Sequence, residues 1–253
     1  MQKAFDDRKP IRDPAQISSL GTILSVWAHP DDETYMCGAI MAAARANGQR
    51  VVCVTATRGE AGSQNLEKWP SEELAKVRTN ELETALRILG IDEHHWLDYP
   101  DGECCSQDSN KAAQRIADIM EAVRPDTIFT FGRDGMTGHP DHQMMCEWVC
   151  AAMRLRSDKT AVYHPVMDQR QYEGFYKRAD EKLNIFFAID RPPLKQDYEC
   201  DIHLLLNGPE LRAKREAIRA MPSQTEMLHE LFTDEELDAA LGTEAFILSD
   251  EHL

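Results

Sequence analysis

Apolar, strand-like runs alternate with longer amphipathic stretches over the first two-thirds of the chain. "TILSVWA" (22–28) is followed by the helix-like "TYMCGAIMAAARANG", "RVVCVTAT" (50–57) by "SEELAKVRTNELETALRILG". The alternation continues with a short strand at "HHWLDY", a helix from about Asn110 to Val123, a strand at "DTIFTFG" and a helix opening at "HPDHQMM". Strands that alternate with helices imply βαβ units and a mostly parallel sheet. Gly48 and Gly90 fall where helices end, and Ser71 stands where an N-cap is expected. Beyond Arg156, "AVYHPV" and "NIFFAID" read as strands, with residues 168–182 as a polar excursion between them. A helix is expected from Gly208 to Ala220, because "PELRAKREAIRA" places Leu211 and Ile218 seven residues apart with charges between.

Every apolar strand run ends in a polar loop. In open α/β sheets ligands bind at the C-terminal strand ends, so the loops at 29–34, 58–70, 100–109 and 132–142 are expected on one face. The 253 residues suffice for one α/β domain with a sizeable core, and no internal repeat or low-complexity tract divides them. The expected organisation is a polar N-terminal extension over 1–20 and a single domain over 21–253.

Charge narrows the partners. With 28 basic against 44 acidic residues the formal charge is -16, which repels a phosphate backbone or an anionic bilayer at long range. Nucleic acid and membrane are therefore not expected partners, while a homo-oligomer is left open. The first 21 residues lack the apolar core of a secretory signal, and no later run approaches the roughly 18 apolar residues of a membrane span. A cytoplasmic location is the resulting expectation. It agrees with seven scattered cysteines that form no C-x-x-C pair. Cys37, Cys53, Cys146 and Cys150 read as small core residues, whereas Cys104 and Cys105 sit together in a polar loop.

Two loops carry unusual chemistry. His29 follows the first strand and is succeeded by Pro30, Asp31, Asp32 and Glu33; "GHPDHQ" brings His139, Asp141 and His142 to the end of another strand. A catalytic zinc site commonly uses three His or carboxylate ligands and keeps a position open for water. The ion lowers the pKa of water from about 15.7 toward about 7 and polarises an acyl oxygen, leaving a non-ligand carboxylate to act as general base. The competing explanation is that these acids cap helix N-termini.

"AHPDDE" (28–33) and "GHPDH" (138–142) resemble the two signature motifs of the PIG-L/LmbE-like zinc-dependent N-deacetylases, which remove acetyl groups from N-acetylglucosamine-containing substrates. The resemblance extends to "TRGEAG" (57–62), "RTNELETALRILG" (78–90), "DYPDG" (98–102) and "PDTIFTFGRDGMTGHPDH", covering about residues 21–225. It implies a Rossmann-like three-layer αβα fold with the metal at the C-terminal strand ends, and an amino-sugar conjugate as substrate. It further implies His29, Asp32 and His142 as metal ligands and Asp31 as the base that takes a proton from the attacking water. His139 would stabilise the tetrahedral intermediate, with Asp141 orienting it and raising its pKa. Zinc is the implied cofactor, and His₂Asp ligation also suits Fe²⁺ or Co²⁺.

Candidate substrate contacts are Arg58, Glu60, Arg78, Asp101 and Gln224. Arg58 and Arg78 also suit ion pairs, with Glu60 or Glu81 as partners, and Asp101 also suits a turn. Thr137 stands where some members of the family have a tyrosine, and Met221 falls where a histidine often precedes Ser-Gln. Of the other histidines, His94 and His95 begin a strand-like run, while His164, His203, His229 and His252 have no acidic or histidine partner at metal-like spacing, so each is expected to be structural or exposed. Three readings compete with a GlcNAc deacetylase. "TRGEAGSQ" as a degenerate phosphate loop lacks G-x-G-x-x-G. A non-catalytic carbohydrate-binding relative leaves Asp31 without a purpose, and a deacylase of another N-acylated amine keeps the chemistry but changes the substrate.

Overall fold

A computed structural model describes residues 9–156 and 159–250. The first five strands are β1 (Ile23–Trp27), β2 (Val51–Thr57), β3 (Glu93–Tyr99), β4 (Thr127–Phe129) and β5 (Ala161–Pro165). Between them run α1 (Asp32–Ala46), α2 (Ser71–Ile88), α3 (Ser109–Val123), the single turn α4 (Gly135–Gly138) and α5 (Pro140–Arg154). β6 (Met167–Asp168) and β7 (Leu194–Lys195) form a separate small pair flanking the short helices α6 (Gln169–Gln171) and α7 (Lys177–Leu183). The remaining elements are β8 (Ile202–Leu205), α8 (Pro209–Arg219), α9 (Pro222–Leu231), α10 (Asp234–Leu241) and β9 (Thr243–Leu248).

The seven-stranded sheet has the order β3-β2-β1-β4-β5-β9-β8. β1 to β5 are parallel, and β9 and β8 add antiparallel at one edge. Helices cover both faces, giving the Rossmann-like three-layer α/β architecture. β1 and β2 are buried along their whole length, as expected of parallel strands with helices on both faces. The strand order reverses between β1 and β4, opening a crevice at their C-terminal ends. Both His-Pro-Asp motifs emerge there.

Gly48 and Gly90 follow the ends of α1 and α2 with φ of 81° and 77°, and the next residues, Gln49 and Ile91, bond back to the carbonyls of Ala44 and Leu86, closing the last turn as a left-handed C-terminal cap. Three local expectations fail. Ser71 is the first residue of α2 rather than its cap; Pro70 holds that place, its fixed φ leading the chain into the helix. "NIFFAID" forms turns instead of a strand: the Phe186 N–H donates to the Asp180 carboxylate at 2.8 Å, and the aromatic rings are used against a cavity rather than in a sheet. The stretch before residue 21 is packed as well as polar. Ile11, Ile17 and Leu20 are buried, and Ile11 bridges to Ile202 of β8.

Cys37, Cys53, Cys104, Cys146, Cys150 and Cys200 are buried, and Cys105 is exposed. Among the described residues no helix is long and apolar enough to cross a membrane.

Candidate metal centre

The site is assembled by two short connections. β1 ends at Trp27 and α1 begins at Asp32 with four residues between, so His29 and Asp32 straddle a tight turn in which the His29 N–H donates to Asp32 Oδ2 at 2.8 Å. On the neighbouring strand, α4 and Pro140 at the first position of α5 turn the chain so that His142 faces back toward His29. Gly135 allows this at φ +65°, since a Cβ there would lie 3.1 Å from the His142 Cβ. Phe131 lies flat on His142 with ring centroids 4.0 Å apart and planes 4° from parallel, fixing the imidazole plane.

His29 Nδ1 lies 3.1 Å from His142 Nε2. Asp32 places Oδ2 3.6 Å from His29 Nδ1 and Oδ1 3.4 Å from His142 Nε2. Atoms bonded to one tetrahedral zinc at about 2.0–2.1 Å lie about 3.3 Å apart, so these separations match a shared ion. The tautomers agree. His142 Nδ1 is 2.9 Å from the Gly135 carbonyl and donates to it, leaving Nε2 with a lone pair. His29 Nε2 faces the carboxylates of Asp101 at 3.0 Å and Asp141 at 3.4 Å, so its proton sits there and Nδ1 offers the other lone pair. Two such electron pairs approach this closely only with a cation between them, a proton on His29 or a metal ion in its place. His29, His139 and His142 also gather their ring nitrogens within 4.8 Å of one another.

Charge balance explains how the site is poised. Burial disfavours a protonated His29, but hydrogen bonds to Asp101 and Asp141 and the Asp32 charge outweigh it and hold its pKa at about 10. Burial likewise pushes Asp101 up, yet His29 and the Ala61 N–H bring it down to about 2. His142 lies well below the ordinary histidine range because of burial and the nearby His29 charge.

Asp31 stands just outside the ligand-like trio. Its backbone adopts φ 127°, and its carboxylate does not cap α1. Oδ2 is instead 3.3 Å from Arg78 Nη2. Burial raises the Asp31 pKa to about 7 against the opposing pull of Arg78. Glu33, wholly buried, accepts the Asp31 N–H at 3.1 Å and so helps fix this strained turn.

Arg78 donates to the Pro30 carbonyl at 2.6 Å and to the Gly59 carbonyl at 3.0 Å. Gly59, at φ +69°, makes room: a Cβ there would fall 2.2 Å from an Arg78 nitrogen. Arg78 is therefore a buried brace beside Asp31, and one edge of it lines the cavity.

Three expectations need correcting. The Asp141 carboxylate does not hold His139: it accepts the N–H groups of Gly102 at 2.8 Å and Cys104 at 3.0 Å and faces His29. What His139 receives is the Asp141 backbone N–H, accepted by Nδ1 at 3.1 Å, which leaves Nε2 as the protonated nitrogen. The His139 pKa is also lowered rather than raised, because burial and the neighbouring His29 charge oppose a second cation. Arg58 points away from the site. It stacks on Trp96 at 3.9 Å and pairs with Asp98 at 2.8 Å.

Glu60 is likewise not at the cavity wall; it accepts the Asp101 N–H at 3.0 Å and so supports that loop. Asp101 and Gln224 do line the cavity, as does Thr137. Met221 is buried at the start of α9. His203 is a buried structural histidine paired with the distant Asp168 at 2.9 Å, while His252 lies outside the described residues. Phe131, Gly59 and the bracing role of Glu33 were missed. Only Glu33 left a local trace, as the third acid of "DDE".

Residues 24–153 match the PIG-L family, described as GlcNAc-PI de-N-acetylase. The chain belongs to this family. Among curated relatives of this PIG-L family chain, the 1D-myo-inositol 2-acetamido-2-deoxy-alpha-D-glucopyranoside deacetylase of Kineococcus radiotolerans is 35% identical over 184 residues, 59% of this chain and 51% of that protein. The protein of the same name from Actinosynnema mirum is 29% identical over 226 residues, 80% of each chain. The chain spans about half the length of the first relatives it matches.

Two solved structures share the fold of this PIG-L family member. N,N'-diacetylchitobiose deacetylase from Pyrococcus horikoshii aligns with a TM-score of 0.62 at 19% identity, over 94% of this chain and 88% of that one. The zinc-inhibited form of teicoplanin deacetylase Orf2 aligns with a TM-score of 0.62 at 16% identity, over 90% and 99%. At these identities the likeness is one of fold.

Proposed function

We propose that this PIG-L family protein is a metal-dependent hydrolase that removes the acetyl group from an N-acetylglucosamine-type conjugate. The observation that carries the reading is the convergence of His29 Nδ1, His142 Nε2 and the Asp32 carboxylate at separations suited to one ion, with a second carboxyl, Asp31, alongside but outside the trio. The names of the curated relatives supply the substrate class.

His29, Asp32 and His142 would hold a zinc ion, which when bound would supply Lewis acidity to the amide oxygen and to a water; Fe²⁺ and Co²⁺ suit the same donors. Asp31 takes the proton of the attacking water. A carboxyl raised to about 7 by burial is matched to that task near neutral pH, and Arg78 keeps it aimed. His139, neutral and protonated on Nε2, donates to the oxygen that gains charge as the amide carbon becomes tetrahedral. The proton held by Asp31 then passes to the departing amine nitrogen, giving acetate and a free amino sugar. Asp101 and Asp141 act through His29 by fixing its tautomer.

The test is amine release from N-acetylglucosamine compounds by zinc-loaded protein. Asp31→Asn is expected to retain the metal and lose at least about 10²-fold in kcat, the scale of a general base. His142→Ala is expected to lose most bound zinc by elemental analysis. Full turnover in the first variant, or full metal content in the second, overturns the role assigned.

A further inference from the structure

The stretch "RTNELETALRILG" carries an acid that the proposed mechanism leaves unused. Glu81 follows Arg78 by three residues, so both side chains leave the same face of α2. Arg78 gives its nitrogens to Pro30, Gly59 and Asp31. Glu81 is buried and gives both oxygens to one residue 142 positions away: Oε1 accepts the Ser223 N–H at 2.9 Å and Oε2 the Ser223 hydroxyl at 2.5 Å.

These bonds hold the start of α9. Met221 occupies the N-cap of that helix and its side chain makes no capping bond. The Glu81 carboxylate therefore satisfies an N–H of the first turn from another helix, at the end where a negative charge is favoured. Ser223 is buried, which shields both bonds from water. α9 in turn walls the cavity that opens at the histidines, about 600 Å³ in volume, through Gln224, Met227, Leu228 and His229.

Gln224 is where this anchorage meets the cavity. Its Nε2 donates to the carbonyls of Gly62 at 3.2 Å and Ser223 at 2.9 Å, with the Ser223 hydroxyl a further acceptor at 3.3 Å. Two carbonyl acceptors fix which end of the amide is nitrogen, and among the described residues no hydrogen bond reaches Oε1. Gly62 belongs to the same frame: its N–H donates to the Gly59 carbonyl at 3.3 Å, and a Cβ on it would lie 3.0 Å from Arg78 Nη1. A closed circuit results. It runs from Asp31 through Arg78 to the 59–62 turn, on to Gln224 and Ser223, and through Glu81 back to the helix that carries Arg78.

We propose that Glu81 is a positioning residue for the hydrolysis: through Ser223 it holds Gln224 Oε1 in a fixed register with Asp31, as the acceptor for a hydroxyl or N–H of the amino sugar. The assignment rests on the deacetylase reading, and it places the effect of Glu81 on the substrate rather than on the metal.

Steady-state kinetics of zinc-loaded variants test it, with the N-acetylglucosamine compound that the wild type hydrolyses fastest. One hydrogen bond to substrate is worth about three- to tenfold, and a misplaced wall up to about 10²-fold. Glu81→Ala is expected to keep its zinc by elemental analysis and to lose at least about tenfold in kcat/KM. Glu81→Gln, whose amide still accepts the Ser223 N–H and reaches the hydroxyl, is expected to recover most of that loss. In a Gln224→Ala background the effect of Glu81→Ala is expected to shrink below about threefold, because the group it positions is gone. A purely structural role would leave that factor undiminished, and such a result overturns the proposal, as does wild-type kcat/KM in Glu81→Ala. Should Glu81→Ala fold poorly, Ser223→Ala removes the hydroxyl link alone; a smaller loss, again diminished without Gln224, upholds the assignment, and no loss refutes it. A wild type that hydrolyses no N-acetylglucosamine compound overturns the deacetylase reading and the role of Glu81 with it.

Discussion

Asp101 shows how one side chain can matter to a metal without touching it. Its Oδ1 lies 3.0 Å from His29 Nε2, and its Oδ2 accepts the Ala61 N–H at 2.8 Å, so the carboxylate is fixed before it fixes the histidine. Partners of this kind typically alter metal affinity about 10–100-fold. Asp101→Ala is therefore expected to weaken zinc binding by that factor in competition with a chromogenic chelator, and Asp101→Asn, which keeps an acceptor, by less. Unchanged affinity in the alanine variant would mean that Asp141 alone orients His29. The sequence offered Asp101 as a turn residue or a sugar contact. Its direction depends on the approach of the loop after β3 to the end of β1, a contact between residues 72 positions apart. The same reason hid the aim of Asp141, whose partners Gly102 and Cys104 lie 39 and 37 positions away. His29, Asp31, Asp32 and His142, by contrast, were legible because two short motifs carry them.

At the scale of elements, α1 contains a break that the sequence does not announce. Cys37 leaves helical geometry at φ -138° and ψ 19°, and the N–H groups just beyond it, on Ala39 and Ile40, donate to the Glu244 carboxylate of β9. The second half of α1 thus starts on an anion from the far end of the chain, a favourable arrangement at a helix N-terminus. Lys214 of α8 neutralises that anion, and both side chains are almost wholly buried. Removing one member of such a pair strands a buried charge, at a cost of about 3–5 kcal/mol. Urea unfolding of Lys214→Met is expected to show a loss of that order, partly recovered when Glu244→Gln is added; a loss below about 1 kcal/mol would refute the coupling. Elements with strong local patterns, β1 to β5 and α1 to α3, were readable from alternation alone. β8, β9, α9 and α10 were not read, although Thr233 and Glu236 form a capping box that opens α10. "NIFFAID" misled because five apolar residues in a row, 185–189, carry no sign of whether they face a sheet or a cavity.

For the whole molecule, the reversal of strand order between β1 and β4 decides where chemistry occurs. Residues 24–153 supply every proposed metal ligand and the base, whereas the later chain supplies most of the cavity wall. The metal trio exists only when β1 and β4 lie side by side, so an ion bound there stabilises the folded state. Zinc at 100 times its Kd is expected to add about 2.7 kcal/mol, or about 5–10 °C in Tm for a chain of this size. The gain depends on pH with a definite sign. His29 has a pKa raised to about 10, so below that pH a proton competes for the electron pair the ion requires. At fixed free zinc the stabilisation should therefore fall by up to about 1.4 kcal/mol for each pH unit lowered, followed by thermal unfolding between pH 8 and 6. A shift that is constant over that range would show that no proton leaves His29 on binding.

The backbone of Asp31 carries a further implication. At φ 127° it occupies a region where a side chain is unwelcome and glycine is at ease, at a cost of about 1–3 kcal/mol. Folding alone would favour glycine at this position, whereas the proposed role of Asp31 as base requires the carboxylate. Stability and activity are therefore opposed at a single residue, so a descendant released from selection for hydrolysis would gain by losing Asp31 before any of the neighbouring histidines.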